Sequence, residues 1–384
     1  MAEKHLFIVC GEASGDLQAG NLAKEILALD PKIKISGVGG EILRQAGAKI
    51  YSDIKNLAVI GLFDVLKKLP KFFALKKLIL EKIKTEQPTA IIFVDFSGFN
   101  LRLAKAINHS IPTLYYISPQ VWASRPGRVK TIKKYISKMI VLFKFEEGFY
   151  KNYGIDVDFV GHPLLDIVRP TMEKKEFLNK FNLSKIKTTV TLLPGSRKQE
   201  IKNILPIMLK SAMLISKKIN DVQFVIAKSP QVDWNIYNQR IQGLNLDLEI
   251  IEEKTYDCLN IADFCLVASG TATLEAAIMQ KPFVVIYKMS FLNYLLYRPQ
   301  VKVPYIGMVN IVADKLIVPE FIQFQASPKK ISAVVLKILK EPAEIEEMKN
   351  NLAQIKPLLG PTGASSRAAR IILDFLNKNE NKPR

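Results

Sequence analysis

Short apolar runs alternate with amphipathic stretches along most of the chain. The runs that predict β-strands in the first half are Leu6–Cys10, Ile33–Val38, Ala90–Asp95, Thr113–Ile117 and Met139–Phe143. Those in the second half are Thr188–Leu193, Val222–Ala227, Leu248–Glu252, Phe264–Ala268 and Phe283–Tyr287. The stretches between them, such as Leu17–Leu29 and Leu101–Asn108, repeat their apolar residues at helical spacing. Because the strand runs are apolar throughout, they predict parallel strands that are covered by helices on both faces.

This pattern predicts an α/β protein made of two tandem, doubly wound, Rossmann-like domains. We place the boundary after the Gly161-His162-Pro163 turn, which gives an N-terminal domain of residues 1–166 and a C-terminal domain of residues 167–360. An amphipathic helix at 365–376 is expected to pack back on the first domain. Ligands of open α/β sheets bind at the carboxyl ends of the strands, so two such domains that face each other would share a cleft.

The composition favours a negatively charged, partly apolar partner. The chain has 55 Lys and Arg residues against 36 Asp and Glu residues, a formal net charge of +19, and 48% of its residues are hydrophobic. The charge favours a polyanion, and the hydrophobic fraction favours an anionic bilayer over nucleic acid. Three cysteines without a pairing pattern indicate a reducing, cytoplasmic location. Because no apolar run reaches about 18 residues and the N-terminal run is too short for a signal peptide, we expect peripheral membrane contact.

Asp95 is the candidate catalytic residue. It ends an apolar strand, where a carboxylate is costly unless it is paired or functional, and partial burial would raise its pKa toward the range of a general base. The alternative is a cap on the following helix. After the first strand, Glu12 and Ser14 lie in a turn of small residues that suits sugar hydroxyl groups. The alternative there is a tight turn in which Ser14 or Asp16 caps the helix.

Two further turns of the first domain contain candidate substrate contacts. Trp122 and Arg125 follow a strand, and an aromatic ring beside cations suits a sugar or a phosphate. The alternative is a core tryptophan next to a solvated basic helix start. His162 makes either a structural hydrogen bond in its turn or a substrate contact. Neither the histidines nor the carboxylates have the spacing of a metal site, so we predict no metal and no cofactor.

Two strand-to-helix turns of the second domain predict a nucleotide site. Leu193–Arg197 offers backbone N–H groups and the Arg197 guanidinium to a diphosphate. The turn of Ser269, Gly270 and Thr271 is a second phosphate-compatible helix entry. Glu275 lies one helical turn further on, where its carboxylate can bind both ribose hydroxyls. The alternative for this turn is an N-cap followed by an acidic first turn.

The segment 57–84 interleaves basic and apolar residues. From Leu66 to Glu86 it has seven lysines against two glutamates. We predict adjoining short helices, broken at Pro70, that lie in the headgroup region of a membrane. The membrane-facing side chains are Lys67, Lys68, Leu69, Phe72, Phe73, Lys76 and Lys77. The alternative is an ordinary crossover helix with a lysine-rich solvent face.

Six motifs, taken in this order, resemble the lipid-A-disaccharide synthase family. They are Gly-Glu-Ala-Ser-Gly-Asp at 11–16, Ser-Pro-Gln-Val-Trp-Ala at 118–123, Gly-His-Pro at 161–163, Leu-Pro-Gly-Ser-Arg at 193–197, Ala-Ser-Gly-Thr-Ala-Thr-Leu-Glu at 268–275 and Val-Asn-Ile at 309–311. The resemblance implies an inverting glycosyltransferase of the GT-B fold. Its donor would be UDP-2,3-diacylglucosamine and its acceptor 2,3-diacylglucosamine 1-phosphate, and the products would be a β-1,6-linked disaccharide 1-phosphate and UDP.

The resemblance also implies residue roles. Asp95 would deprotonate the 6-hydroxyl of the acceptor, and Glu275 would bind the ribose. The remaining UDP contacts would be Arg197, Ser269, Gly270 and Thr271, and the cleft would be lined by Glu12, Ser14 and Asn310. The family further suggests a homodimer with exchanged C-terminal segments, associated peripherally with the inner membrane. The chain departs from the family pattern at Ser124, where relatives have Trp, and at Asp314-Lys315, where they have Gly-Arg.

Two other functions fit part of the pattern. Another GT-B enzyme that uses a UDP-sugar, such as a muramyl-peptide glucosaminyltransferase or a UDP-sugar epimerase, would share the nucleotide motifs. A soluble epimerase, however, has no use for the basic and apolar segment 57–84. A non-enzymatic peripheral protein that binds anionic lipid would need the positive charge but would not need Asp95.

Overall fold

The computed structural model describes residues 4–56 and 62–380, which form two compact α/β units. The first unit comprises the chain up to Asp166, the short segment Gln300–Lys302 and the chain from Leu359 onward. The second comprises Ile167–Pro299 and Val303–Leu358. Each unit contains one parallel β-sheet, so the predicted fold class is confirmed.

The sheet of the first unit has seven strands in the order β3-β2-β1-β4-β5-β6-β7. The strands are β1 (His5–Val9), β2 (Lys34–Gly39), β3 (Lys49–Asp53), β4 (Ala90–Val94), β5 (Thr113–Tyr116), β6 (Lys138–Val141) and β7 (Val157–Phe159). The helices between and after them are α1 (Ala13–Leu29), α2 (Glu41–Gln45), α3 (Leu62–Glu86), α4 (Ser97–Ile107), α5 (Val129–Tyr135), α6 (Lys144–Lys151) and α7 (Leu164–Ile167). Every residue of β1 and β4 is buried, as expected for central parallel strands with helices on both faces.

The sheet of the second unit has six strands in the order β10-β9-β8-β11-β12-β13. The strands are β8 (Thr188–Leu193), β9 (Val222–Lys228), β10 (Leu248–Glu252), β11 (Phe264–Ala268), β12 (Phe283–Tyr287) and β13 (Glu320–Ile322). The helices are α8 (Lys174–Lys180), α9 (Lys198–Ser216), α10 (Trp234–Ile241), α11 (Thr255–Ile261), α12 (Ala272–Ile278), α13 (Phe291–Tyr297), α14 (Met308–Ala313), α15 (Pro328–Lys340), α16 (Pro342–Ala353) and α17 (Ile355–Leu358).

The last helix, α18 (Ala364–Glu380), packs against α1 of the first unit. Its small and apolar residues Ala368, Ala369, Ile372 and Leu376 are buried in this contact layer. An amphipathic helix usually buries its apolar stripe by packing it against a neighbouring element in this way. The C-terminal helix therefore belongs to the same compact unit as the N-terminal sheet.

Helix α3 differs from its prediction, because it runs without a break through Pro70. The expectation of two short helices was therefore wrong. Proline removes one backbone hydrogen bond from a helix, but the turns on either side can still be held by packing. Here Leu75, Ile79 and Ile83 are buried along one face and hold the second half of the helix to the unit. No helix in the described part of the chain is long and apolar enough to cross a membrane.

Candidate functional site

The carboxyl ends of β1 and β4 bring Glu12, Ser14 and Asp95 to one edge of the first sheet. These two strands are neighbours, with Val9 opposite Phe93, and α1 begins directly after β1. A Cβ atom built on Gly15, in the first turn of α1, would lie 4.0 Å from the Cβ atom of Asp95. Asp95 is half-buried and Ser14 is exposed. The three side chains are thus grouped where ligands of parallel sheets bind.

The backbone at Asp95 is strained and is held by hydrogen bonds. Asp95 and Phe96 both have φ of +49°, in the left-handed region that non-glycine residues rarely adopt. The Asp95 carbonyl accepts hydrogen bonds from Asn100 Nδ2, at 2.9 Å, and from the hydroxyl of Tyr115. Phe96 occupies the N-cap position of α4, so Asp95 is not the N-cap residue of this helix. Strained residues of this kind cluster at functional sites.

The ring of Phe96 fixes this corner of the unit. A Cβ atom on Gly11 would lie 2.3 Å from Phe96 Cγ, so only glycine fits below the ring. Phe96 stacks on Phe99 with their ring centroids 5.1 Å apart, and Phe72 of α3 packs on both rings at 6.0 and 6.1 Å. Phe72 is half-buried beside the Asp95 turn. The sequence assigned Phe72 to the membrane face; in the structure its ring is half-buried and packs in this aromatic cluster.

The other residues assigned to the membrane face are divided by the structure. Phe73 is 69% exposed and Lys77 is exposed, whereas Leu69 and Lys76 are half-buried. The side chains of Lys67 and Lys68, and the segment 57–61, lie outside the described residues. A basic and apolar surface on α3 therefore remains around Phe73 and Lys77.

Asp16 has a structural role. Its carboxylate accepts hydrogen bonds from the backbone N–H groups of Gly40, Ile42 and Leu43, at 2.6, 3.0 and 3.3 Å, and so caps α2. The N-cap position of α1 is Glu12, without a side-chain capping hydrogen bond. The alternative in which Asp16 caps α1 is therefore wrong.

Trp122 is anchored by a buried glutamate that the sequence reasoning missed. Glu146 accepts hydrogen bonds from Trp122 Nε1 at 3.0 Å, from the hydroxyl of Ser118 and from the backbone N–H groups of Leu142 and Phe143. Burial raises the pKa of the Glu146 carboxyl, and these hydrogen bonds oppose the shift. Glu146 thus ties the loop after β5 to the start of α6.

Two arginines follow this loop. Arg125 is exposed, and its Nε donates to Gln300 Oε1 at 2.8 Å. Arg128 is half-buried and donates to Ser97 Oγ at 3.4 Å. Ser97 lies two residues after Asp95 in the chain. Burial, Arg125 and Arg102 lower the pKa of Arg128. The loop therefore supplies positive charge close to the Asp95 turn.

His162 makes a structural hydrogen bond within its own turn, which was one of the two roles that the sequence left open. It is buried, its Nδ1 accepts from the Leu164 backbone N–H at 3.2 Å, and its own backbone N–H donates to the Leu359 carbonyl at 2.9 Å. Burial lowers the pKa of the imidazole to about 4, so the ring is neutral at pH 7. The ring packs on Phe143 and holds the turn to the C-terminal segment.

The two candidate phosphate turns share one edge of the second sheet, because β8 and β11 are neighbours, with Leu193 opposite Val267. In the first turn, the backbone N–H groups of Ser196 and Arg197 both donate to Glu200 Oε2 at 3.2 Å, and Arg197 forms an ion pair with Glu200 at 3.4 Å. The backbone N–H groups that the sequence assigned to a diphosphate therefore bind the Glu200 carboxylate in the structure. The signal for Glu200 in the sequence is an acidic residue three positions after an N-cap.

The second turn is open. Gly270 is exposed with φ of +150°, and nothing lies within 4 Å of a Cβ atom built on it. Thr271 is exposed, and its side chain does not cap α12. The hydroxyl of Ser269 donates to the Ile306 carbonyl at 3.0 Å and keeps its lone pairs as acceptors. An anion can therefore approach the backbone at Gly270.

Glu275 lines a pocket of about 230 Å³ in the second unit. The pocket is formed by Thr171, Glu253, Lys254, Thr255, Tyr256, Asp257 and Glu275. Burial raises the pKa of the Glu275 carboxyl to about 7, and a hydrogen bond from the Tyr256 hydroxyl opposes this shift. The pocket wall is fixed by Asp257, which accepts hydrogen bonds from the backbone and hydroxyl of Thr171, both at 2.7 Å. Lys254 Nζ also donates to this hydroxyl, at 3.0 Å.

Asn310 has a structural role inside the second unit. It is fully buried, its Oδ1 accepts from the backbone N–H groups of Ile317 and Val318, and its Nδ2 donates to the Val318 carbonyl and to Glu320. All four hydrogen-bonding positions of the amide are thus filled. The expectation that Asn310 lines a substrate cleft is corrected: it braces the segment between α14 and β13.

Comparison with protein families matches residues 6–370 to the family described as lipid-A-disaccharide synthetase. The chain is 41% identical over 382 residues to the lipid-A-disaccharide synthase of Syntrophus aciditrophicus, covering 99% of this chain and 100% of the relative. It is 40% identical over 374 residues to that of Geobacter sulfurreducens, covering 97% of each.

Similar folds occur among solved structures with low sequence identity. The UDP-GlcNAc 2-epimerase from Neisseria meningitidis, bound to UDP-GlcNAc, has a TM-score of 0.58 and 15% identity, covering 98% of this chain and 100% of that one. CalG4, the calicheamicin glycosyltransferase, has a TM-score of 0.61 and 14% identity, covering 99% and 100%. At these identities the likeness shows the fold alone.

Proposed function

We propose roles for individual residues of this chain, which belongs to the lipid-A-disaccharide synthase family and is a glycosyltransferase of lipid A biosynthesis with the GT-B fold. The domain of residues 1–166 binds the acceptor, 2,3-diacylglucosamine 1-phosphate. The domain of residues 167–360 binds the donor, UDP-2,3-diacylglucosamine. The reaction joins the donor sugar to the 6-hydroxyl of the acceptor, inverts the anomeric carbon and releases UDP.

Asp95 is the general base of this reaction. Its carboxylate takes the proton from the acceptor 6-hydroxyl while that oxygen attacks the anomeric carbon of the donor. The observation that carries this assignment is the half-buried carboxylate at the carboxyl end of β4, on a backbone strained into the left-handed region. Glu12 and Ser14, at the start of α1, bind hydroxyls of the acceptor sugar. Arg125, with Arg128 beside it, attracts the acceptor phosphate, and the Trp122 ring contacts the sugar.

The leaving group is stabilised in the second domain. The diphosphate displaces Glu200 from the N–H groups of Ser196 and Arg197, and the Arg197 guanidinium turns from this carboxylate to the phosphate oxygens. Ser269, Gly270 and Thr271 bind the other phosphate at the start of α12. Glu275, in its pocket with Tyr256, accepts hydrogen bonds from the ribose hydroxyls. Neutralising the charge that develops on UDP is the main electrostatic contribution to the rate.

Two assignments concern the surroundings of the enzyme. The surface of α3 around Phe73 and Lys77 rests on the anionic inner membrane, which is supported by the exposure of both side chains. The chain forms a homodimer in which C-terminal segments exchange between subunits, as suggested by the family. Light scattering of the purified protein measures the mass directly, and a monomer at micromolar concentration would contradict the dimer.

Release of UDP with and without the acylated acceptor tests the proposed reaction. UDP release from UDP-2,3-diacylglucosamine is expected only when 2,3-diacylglucosamine 1-phosphate is present, with equal amounts of UDP and disaccharide. UDP release that is the same with and without the acceptor would contradict the transferase mechanism and favour epimerase-like chemistry. A protein that binds vesicles but releases no UDP in either case would instead be a lipid-binding protein.

A further inference from the structure

The second unit exposes an apolar surface that the proposed function does not use. It consists of Phe291, Leu292, Leu295 and Leu296 on α13 together with Phe324 after β13, and we call it the α13 surface. The exposed fractions of these five side chains lie between 43% and 71%. Phe324 packs against α13, with ring centroids 6.3 Å from Phe291 and 5.9 Å from Tyr294. The five side chains therefore form one patch.

Helix α13 has no fully buried residue, and only Asn293, Tyr294 and Tyr297 are half-buried. Its sequence, Phe-Leu-Asn-Tyr-Leu-Leu-Tyr, contains one residue that is neither aliphatic nor aromatic, yet none of the seven residues is buried. A helix on the surface of a soluble domain usually buries its apolar stripe against the core. A contiguous exposed apolar patch is typical of an interaction site. The α13 surface therefore needs a partner that accepts large apolar side chains.

The charges around the patch favour an anionic partner. The sequence from Lys281 to Ala313 contains no acidic residue. Arg298, directly after α13, is exposed, as are Lys329 and Lys330 at the start of α15. Lys330 Nζ donates to Gln325 Oε1 at 3.2 Å, which keeps its positive charge beside Phe324. Apolar and aromatic side chains with cations at the rim match the interface of an anionic bilayer.

The patch lies at the same edge of the sheet as the proposed phosphate turns. Helix α13 follows β12 and Phe324 follows β13, and these strands pair with Tyr287 opposite Ile322. On its other side β12 pairs with β11, which ends at the turn of Ser269 and Gly270. Neighbouring strands are about 5 Å apart, so the strands that lead into the patch lie one and two strand spacings from β11. A membrane contact here would hold the nucleotide turns close to the lipid surface.

We propose that the α13 surface inserts into the interface of an anionic bilayer and is a second membrane contact of this protein. This proposal shares with the proposed function the premise that the substrates are lipids. It does not depend on a membrane contact of α3 or on the role of any catalytic residue. The Phe and Leu side chains of the α13 surface lie among the lipid headgroups, and Arg298, Lys329 and Lys330 contact lipid phosphates.

The test is sedimentation of the full chain with vesicles of phosphatidylglycerol and phosphatidylethanolamine. The Phe291→Ser/Leu295→Ser variant is expected to lower the partition coefficient at least about tenfold, because it removes two large apolar groups from the contact. Ile186→Ser is the matched control, because Ile186 is 90% exposed in the same unit but outside the patch, and it is expected to bind as wild type does. Phe324→Ser, a single change on a separate loop, is expected to lower the partition coefficient in the same direction and decides the matter if the double variant does not fold.

Three results would overturn the proposal. The first is unchanged vesicle binding by both patch variants. The second is a change in the mass of the protein in solution without a change in vesicle binding, which would make the patch an interface between two copies of the chain. The third is unchanged vesicle binding with a raised KM for the acylated donor alone, which would assign the patch to the donor acyl chains. The variant Phe73→Ser tests the membrane contact of α3 separately. Unchanged vesicle binding by this variant would contradict the α3 contact but not the α13 contact.

Discussion

Replacement of Glu275 by Gln should weaken nucleotide binding and at the same time stabilise the free protein at alkaline pH. Burial raises the pKa of the Glu275 carboxyl from 4.5 to about 7 in the folded chain. A group whose pKa is raised on folding contributes stability that is fully present below its unfolded pKa, and this contribution is lost as the pH rises through the folded pKa. The ionised carboxylate therefore costs the free protein up to about 3 kcal/mol above pH 8, since one pKa unit is equivalent to about 1.4 kcal/mol. Gln stays neutral and avoids this cost.

Nucleotide binding has the opposite pH dependence, because the ribose hydroxyls donate to the ionised carboxylate. With a pKa of about 7, only about a tenth of Glu275 is ionised at pH 6, so a UDP-sugar should bind about tenfold more weakly at pH 6 than at pH 8. The Gln variant should bind more weakly than wild type at pH 8 and should lose the pH dependence. The two affinities should converge at pH 6.

Calorimetric titration with UDP-GlcNAc and thermal unfolding, both at pH 6, 7 and 8, measure the two effects. UDP-GlcNAc is a suitable probe because its diphosphate has no ionisation in this range and it needs no detergent. Equal binding by wild type at pH 6 and pH 8, or a Gln variant that keeps the wild-type pH dependence, would contradict the role of the ionised Glu275 carboxylate. A lower unfolding temperature of the Gln variant at pH 8 would show that the ionised carboxylate stabilises the fold.

Two single-residue replacements and the salt dependence of membrane binding give further tests. Arg197→Ala should weaken UDP binding by about 1.5–3 kcal/mol, the range for a charged hydrogen bond, and unchanged affinity by calorimetry would refute the phosphate role. Asn310→Ala should lower the free energy of unfolding in urea by about 2–4 kcal/mol, because the N–H groups of Ile317 and Val318 lose their buried acceptor, and a loss below about 1 kcal/mol would contradict the bracing role. Raising the salt from 0.1 to 1 M should release the protein from anionic vesicles, because the Debye length falls from about 10 to about 3 Å, and salt-independent sedimentation would mean that apolar insertion dominates.

The apolar runs predicted the central strands because those strands are buried on both faces. Three strands were missed, namely Lys49–Asp53, Val157–Phe159 and Glu320–Ile322. All three lie at an edge of their sheet, and two have three residues. An edge strand has one neighbour and tolerates polar residues, so its sequence lacks the continuous apolar run by which inner strands are recognised. The sequence also suggested a break at Pro70. The helix continues through this residue, and its second half is held by buried side chains that pack against other parts of the unit. These contacts between distant parts of the chain cannot be read from the local sequence.

The motifs located the candidate site, but they did not show how each polar side chain is used. Asp95, Glu12 and Ser14 share an edge because β1 and β4 are neighbours, which follows from the sheet order. The bonds of Asn310 and Trp122 could not be predicted, because their partners Glu320 and Glu146 lie 10 and 24 residues away and meet them only in the folded unit. The same holds for Phe72, whose partner rings follow β4.

The role of Asp95 as the base is tested by the single-turnover rate of Asp95→Asn with saturating donor and acceptor. Asn keeps the size of the side chain but cannot accept the proton. We expect a rate at least about 100-fold below wild type, with donor affinity unchanged, because the general base is lost. A rate within a few fold of wild type would show that another group takes the proton from the acceptor.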